Sequence, residues 1–265
     1  MAETSISWTD FSFNTHIGCT RVSPGCNNCY AETLNSRWGN DNWGKGKPRR
    51  ITSDANWRKP LSWNKRAVEQ GTGFKVFCGS MCDVMDDEAP EGARERLWEL
   101  IDSTPNLLWQ LLTKRPHRYS KYLPSSGFIH DNVMLMTTVE SQEFYLPRIK
   151  ALNEGKQTLE INNDLYRRDF AIPLKPVKIG VSYEPALGPL SIREYPGLRP
   201  DWIIFGGETG NHPRPMELSW AENIKRECEE FGVAFWMKQM SARTPEKAAA
   251  LIPAEMLVRK FPEVV

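Results

Sequence analysis

NVMLMTTVE, residues 132–140, decides the fold: it is apolar on both alternations through Met136 and turns polar only at Thr137, Thr138 and Glu140, with Ser141 following. A strand apolar on both alternations is buried on both faces, as in a parallel sheet covered by helices, and polar groups gather at the C-terminal ends of such strands. The same two-part pattern recurs in FKVFCGSM (74–81), NLLWQLLTK (106–114), VKIGVSYE (177–184), DWIIFGGE (201–208) and GVAFWMKQ (232–239). Helical stretches alternate with these runs. APEGARERLWELIDST (89–104) carries Leu97, Leu100 and Ile101 at helical spacing, and ELSWAENIKRECEEFG (217–232) places Trp220, Ile224 and Cys228 four apart before stopping at Gly232. Strand, loop, helix in repetition means a closed barrel or an open doubly wound sheet, and polar residues after almost every run fit a barrel mouth better than one switch point. The expected fold is therefore α/β, a full or partial (β/α) TIM-type barrel of about six or seven parallel strands. It forms a single domain over residues 1–265, with the weakly patterned segment 151–176 as an insertion.

Composition supports a globular chain and removes several other classes. In 265 residues, 40% are apolar and 25% charged, and Gly and Pro are dispersed, which excludes disordered, collagen-like and coiled-coil chains. Lys+Arg 34 against Asp+Glu 33 leaves a formal charge of +1, so any basic surface must be local. The start, MAETSISWTD, lacks the basic and apolar regions of a signal peptide, and the apolar runs are far too short to span a bilayer. The expectation is a cytoplasmic protein with no membrane partner.

One local basic segment stands out. Residues 36–66 hold nine Lys or Arg, two Asp and four tryptophans, Trp38, Trp43, Trp57 and Trp63. Cations interleaved with aromatics suit a nucleic-acid groove, with Arg49 and Arg50 on phosphates and Trp57 stacking on a base. The competing reading is a basic extension whose tryptophans pack on the barrel.

The sharpest chemical signal is GCTRVSPGCNNCY (18–30), within a loop spanning 14–31, where Cys19, Cys26 and Cys29 form C-x6-C-x2-C. Soft thiolates select zinc or iron–sulfur centres. A structural zinc site wants four protein ligands, whereas three cysteines on a [4Fe-4S] cluster leave one iron open. No second C-x2-C occurs in the chain, so zinc would have to recruit His16. Three open alternatives follow: an open cluster, a Cys3His zinc site, or cysteines without metal. Cys78, Cys82 and Cys228 read as small apolar fillers.

WTDFSFNTHIGCTRVSPGCNNCYAE, CGSMCDVM, LLTKRP, TVESQE, VSYEPALGPL, FGGETG with RPM after it, and WMKQ resemble, in that order, a phage- and prophage-encoded three-cysteine family described as radical-SAM-like. The likeness runs over nearly the whole chain. The more familiar radical SAM loop is C-x3-C-x2-C, whereas six residues separate the first two cysteines here. The resemblance implies a partial barrel with the cluster loop at its mouth and S-adenosylmethionine (SAM) on the open iron. It also implies an electron donor such as a flavodoxin or ferredoxin. By analogy with radical SAM barrels, Tyr30 would lie against adenine, Gly79 and Ser80 would take the methionine amine, and Thr138, Glu140 and Ser141 would face ribose or carboxylate.

Six more residues at the strand ends read as substrate-facing. Lys114, Arg115 and Arg214 are cations suited to phosphate or carboxylate, and Glu184, Glu208 and Lys238 stand where a barrel turns polar groups inward. A ring of salt bridges closing the mouth would use the same residues. Two functions compete: a radical SAM enzyme that modifies or rearranges a nucleobase or nucleotide, DNA favoured, such as a thymidine isomerase or mutase in phage DNA hypermodification; or a zinc-stabilised nucleic-acid-binding or adaptor protein without catalysis.

Overall fold

The computed structural model describes residues 4–124, 132–170 and 176–263. Seven strands form one sheet in the order β1 (Phe11–Phe13), β4 (Phe74–Cys78), β5 (Leu107–Thr113), β6 (Val133–Thr138), β7 (Lys178–Tyr183), β8 (Trp202–Gly206) and β9 (Ala234–Gln239). Every neighbouring pair is parallel. β1 and β9 are not paired, so the curled sheet is a partial barrel whose two edge strands do not meet. A separate antiparallel ribbon joins β2 (His16–Ile17) to β3 (Arg50–Ile51). The helices are α1 (Tyr30–Arg37), α2 (Asp54–Gln70), α3 (Ala93–Asp102), α4 (Tyr119–Tyr122), α5 (Gln142–Phe170), α6 (Leu218–Phe231) and α7 (Pro245–Ala250).

The strand runs are apolar nearly throughout because each face of the sheet has its own core. On the convex face, Trp109, Leu111, Val133, Leu135, Val181 and Ile203 pack with helical residues such as Trp57, Leu97, Tyr145 and Ile224. On the concave face, Phe77, Met134, Met136, Trp202 and Ile204 surround Trp8, which comes from the segment before β1. The period of two along each strand therefore divides apolar residues between two cores rather than between core and water.

Trp8 belongs to a stopper at the N-terminal ends of the strands. Its ring lies 4.7 Å from Phe77 and 5.9 Å from Trp202, and the Trp202 ring meets Phe261 at 4.8 Å. Trp236 donates to Ser7 Oγ at 3.3 Å, and Lys75 Nζ stands 5.4 Å over the Phe261 ring. The C-terminal segment also covers the edge of β9, through Met237 N to Val258 O at 2.8 Å and Lys260 N to Phe235 O at 2.9 Å. Covering it removes an open row of strand hydrogen-bonding groups.

One segment differs from the sequence reading, and in another the structure favours one of its two alternatives. Residues 151–170, expected within an insertion, continue α5, whose buried Leu152 and Leu159 are two turns apart on one face. Residues 171–175 of that expected insertion lie outside the described residues. In the basic segment 36–66, the residues from Asp54 on belong to a barrel helix: α2 is capped by Ser53, ends at Gly71, and buries Trp57 and Trp63 against the convex face, as the competing reading had it. Trp63 stacks on Phe11 at 4.3 Å and Trp57 meets Phe13 edge-on at 5.1 Å. No helix among the described residues is long and apolar enough to cross a membrane.

Candidate cofactor site at the barrel mouth

Because the strands are parallel, the residues after β5, β6, β7 and β8 converge on one end of the sheet, and the three-cysteine loop lies across it. The loop leaves β2 at Gly18, makes a 3-10 turn at Pro24–Cys26 and enters α1 at Tyr30. Side chains from three strand ends hold it down.

From the end of β6 comes Glu140, which is fully buried. Its carboxylate accepts from Ser23 Oγ at 2.5 Å and Arg148 Nη1 at 2.6 Å, and Lys114 Nζ stands 3.5 Å away. Gly25 passes so close that a Cβ there would sit 2.5 Å from Glu140 Oε1. Only a residue without a side chain permits that approach. From the end of β5, Arg115 donates Nη1 to Cys19 Sγ at 3.7 Å and Nη2 to the Thr20 carbonyl at 2.8 Å. Asp83 holds Arg115 Nη1 at 2.8 Å and accepts from Thr113 Oγ1 at 2.7 Å, fixing the β4 loop to the end of β5. From the end of β8, Glu208 accepts from Asn28 Nδ2 at 2.9 Å and pairs with Arg214, whose Nη2 also reaches the Pro24 carbonyl at 3.0 Å. Burial pushes the Glu208 carboxyl up, but the donors from Arg214 and Asn28 outweigh it and hold the group below its usual range.

The residues expected on the SAM side lie after β4, at the start of α1 and at the end of β6. Gly79 takes a left-handed φ of +102° at the end of β4, which turns the chain so that Asn14 can accept from Met81 N at 2.7 Å and donate to Ser80 Oγ at 2.9 Å. Tyr30, about half exposed at 53%, donates its hydroxyl to the Ser80 carbonyl at 2.7 Å. Thr138 is buried with its carbonyl on Arg148 at 2.7 Å, while Ser141 packs beside Gly188 at the start of α5. Across the sheet, Glu184 and Lys238 form an ion pair, both side chains about one-fifth exposed, with Gln239 Nε2 3.4 Å from the same carboxylate.

Three expected nucleic-acid or substrate residues are engaged inside the protein. The Arg49 side chain is 1% exposed; its Nη1 donates to the carbonyls of Asn42, Gly44 and Lys47, and its other nitrogens bond Thr20, Asp86 and Glu88. That guanidinium has no donor left for a phosphate. Trp57 is core, with Arg96 4.4 Å over its ring, and Arg115 points inward to the cysteine loop. Arg50 is exposed on β3. Residues that sequence reasoning missed are Asn14, Ser23, Asn28 and Arg148, whose only sequence signal is nearness to the cysteine loop or to the Glu140 turn; Asp83 was visible as a polar residue after the first run along the chain but had no partner to mark it.

The three cysteines are free thiols, Cys26 buried and the others partly so. Burial pushes the Cys19 thiol up, with Asp83 acting in the same direction and Arg115 against it. Among the described residues no group of three His, Cys, Asp or Glu, the three cysteines included, lies at metal-binding separation. His16 is buried. Its Nδ1 pairs with Thr15 Oγ1 at 2.8 Å, and burial lowers its pKa to about 4. By donor chemistry the loop fits a thiophilic centre with three sulfur ligands, and a cation stands at one of those sulfurs.

The sequence profile of the family described as protein of unknown function (DUF5131) matches residues 3–161 and 172–257. No curated protein sequence matches. Among solved structures, spore photoproduct lyase with a tyrosine-to-phenylalanine substitution aligns with TM-score 0.55 and 9% identity, covering 89% of this chain and 78% of that one. The lyase complexed with dinucleoside spore photoproduct gives TM-score 0.49 and 8% identity, over 87% of this chain and 64% of that one. A cysteine-to-serine variant of the lyase gives 0.48 and 10%, over 78% and 58%. The chain thus spans less than two thirds of the length of these last two lyase chains. At such identities the likeness is one of fold.

Proposed function

The chain belongs to the DUF5131 family, and from the geometry of its mouth we propose that it is a radical SAM enzyme acting on a nucleobase or nucleotide, with DNA the favoured substrate. The observation that carries this reading is the three-thiol loop, tied from β5, β6 and β8 over the C-terminal ends of a partial barrel. The fold likeness to spore photoproduct lyase agrees with it.

Cys19, Cys26 and Cys29 would hold a [4Fe-4S] cluster by three thiolates. When bound, that cluster with SAM on its open iron supplies one-electron cleavage of the sulfonium and a 5′-deoxyadenosyl radical. The protein's own residues position and enclose this chemistry. Gly79 and Ser80, braced by Asn14, present a carbonyl and a hydroxyl for the amine of SAM, and Tyr30 offers a ring face at the start of α1. Thr138 and Ser141 stand at the end of β6 for ribose or carboxylate, while Glu140 secures the loop from beneath. Glu184 and Lys238 face the concave side as an acid–base pair that can hold a base edge or carry a proton between substrate and solvent. Lys114 supplies a nearby cation, and the Glu208–Arg214 pair anchors the loop beside it. Rearrangement of a modified thymidine in phage DNA and repair of a base lesion are both reactions of this type. An acidic one-electron carrier, a flavodoxin or ferredoxin, would deliver the electron.

The test is electron paramagnetic resonance of anaerobically reconstituted, reduced protein with and without SAM. A [4Fe-4S]⁺ signal that shifts on adding SAM, and is lost in a folded Cys26→Ala variant, is the expected result. Stoichiometric zinc with no iron signal would replace this reading by the zinc-stabilised binding protein.

A further inference from the structure

Arg115 looks by sequence like a substrate cation, but its side chain is only 6% exposed and turned toward Cys19. Its Nη1 lies 3.7 Å from Cys19 Sγ and 2.8 Å from Asp83 Oδ2, and its Nη2 lies 3.3 Å from Asp86 Oδ1. Asp86 is 2% exposed and also binds the buried Arg49 guanidinium at 2.9 Å. A fixed cation thus touches one of the three sulfurs, and two buried carboxylates stand behind it. Charges so placed interact more strongly than at a surface, because little water screens them.

Resting on the proposed iron–sulfur reading, we propose that Arg115 is a positioning residue that sets the reduction potential of the centre held by Cys19, Cys26 and Cys29, with Asp86 as its counterweight. One-electron reduction adds one negative charge to the centre. An N–H donated by a cation to a ligating sulfur stabilises that added charge and raises the potential; a carboxylate behind the cation opposes it. The two residues therefore act with opposite sign. A residue that merely anchors the loop would have no such effect, since its loss would change how much iron is taken up, not how readily the bound iron is reduced.

The experiment is a redox titration of the reconstituted full-length protein, followed by electron paramagnetic resonance, with iron and sulfide measured on each sample. Arg115→Met is expected to lower the midpoint, so that at the wild-type midpoint the reduced-to-oxidised ratio falls about tenfold, a shift of about 59 mV for one electron. Arg115→Lys falls between Arg115→Met and wild type. Asp86→Asn, which keeps the shape and leaves Arg115 in place, is expected to shift the midpoint upward at full iron content. If Arg115→Met does not fold or load, the Asp86→Asn and Arg115→Lys shifts decide. Unchanged midpoints, or shifts of the same sign in Asp86→Asn and Arg115→Lys, overturn the proposal while leaving the cluster reading intact. A wild-type protein that takes up no iron overturns both.

Discussion

Gly25 shows how little slack the cysteine loop has. Its α-carbon backs onto Glu140 closely enough that a methyl group would meet Oε1, Cγ and Cδ at 2.5 to 2.9 Å. Gly25→Ala should therefore lift the loop off Glu140 and lower iron uptake per chain, and Gly25→Ala with Glu140→Asp, which withdraws the carboxylate by one methylene, should recover part of it; iron analysis after reconstitution reads both. His16 makes a different prediction. Buried and neutral with a pKa lowered to about 4, it leaves the native state binding fewer protons than the unfolded chain, where the imidazole titrates at about 6.5. Stability from this group is complete above about pH 6.5 and is lost as pH falls toward 4, amounting to about 3 kcal/mol across the window. Urea unfolding at pH 7 and pH 4.5 measures it, and His16→Gln should flatten that part of the profile. The cysteine loop could be picked out because its signal, three thiols at C-x6-C-x2-C spacing, lies along the chain. The fates of Arg49 and Arg115 were not, because they depend on Asp83, Asp86 and Glu88, which only the fold brings beside them.

Elements were easier to read than their ends. The six runs seen in the sequence all became strands, since a continuous apolar stretch of strand length has few other uses in a chain of this class. The seventh, β1, has three residues, Phe11–Phe13, too short for a periodic signal. Its two phenylalanines point to the convex core, where Phe11 meets Trp63 of α2. Trp63→Ala should cost about 3–5 kcal/mol by denaturant unfolding, through lost burial and the cavity left behind. Trp38→Ala, at a position 56% exposed on the C-terminal cap of α1, should change stability by no more than about 0.5 kcal/mol. The pair separates the two uses of tryptophan in one basic segment. The later part of α5 escaped notice because its buried Leu152 and Leu159 are two turns apart with Gly155 between them, and Ile161 is exposed, so the helical period is faint.

At the scale of the whole molecule, a formal charge of +1 gives no strong field to draw in a polyanion. Any nucleic-acid affinity must come from close contacts, and Arg50, exposed on the β2–β3 ribbon beside the cysteine loop, is placed to make one. Arg50→Glu should weaken binding of a double-stranded oligonucleotide and reduce the salt slope of log K by about 1, whereas equal slopes would put the interface elsewhere. The curled sheet bears on the same question through its topology. β1 and β9 are not paired; the two sides are tied by side chains at both ends, by the aromatic stopper at one and, at the other, by Asn28 on Glu208 and Arg214 on the Pro24 carbonyl. A closed ring would admit a polymer only by threading an end through it. Here the loop tied across the mouth stands where a closing strand would, so a unit from the middle of a long chain would have to be turned out of its own strand to reach the cysteines.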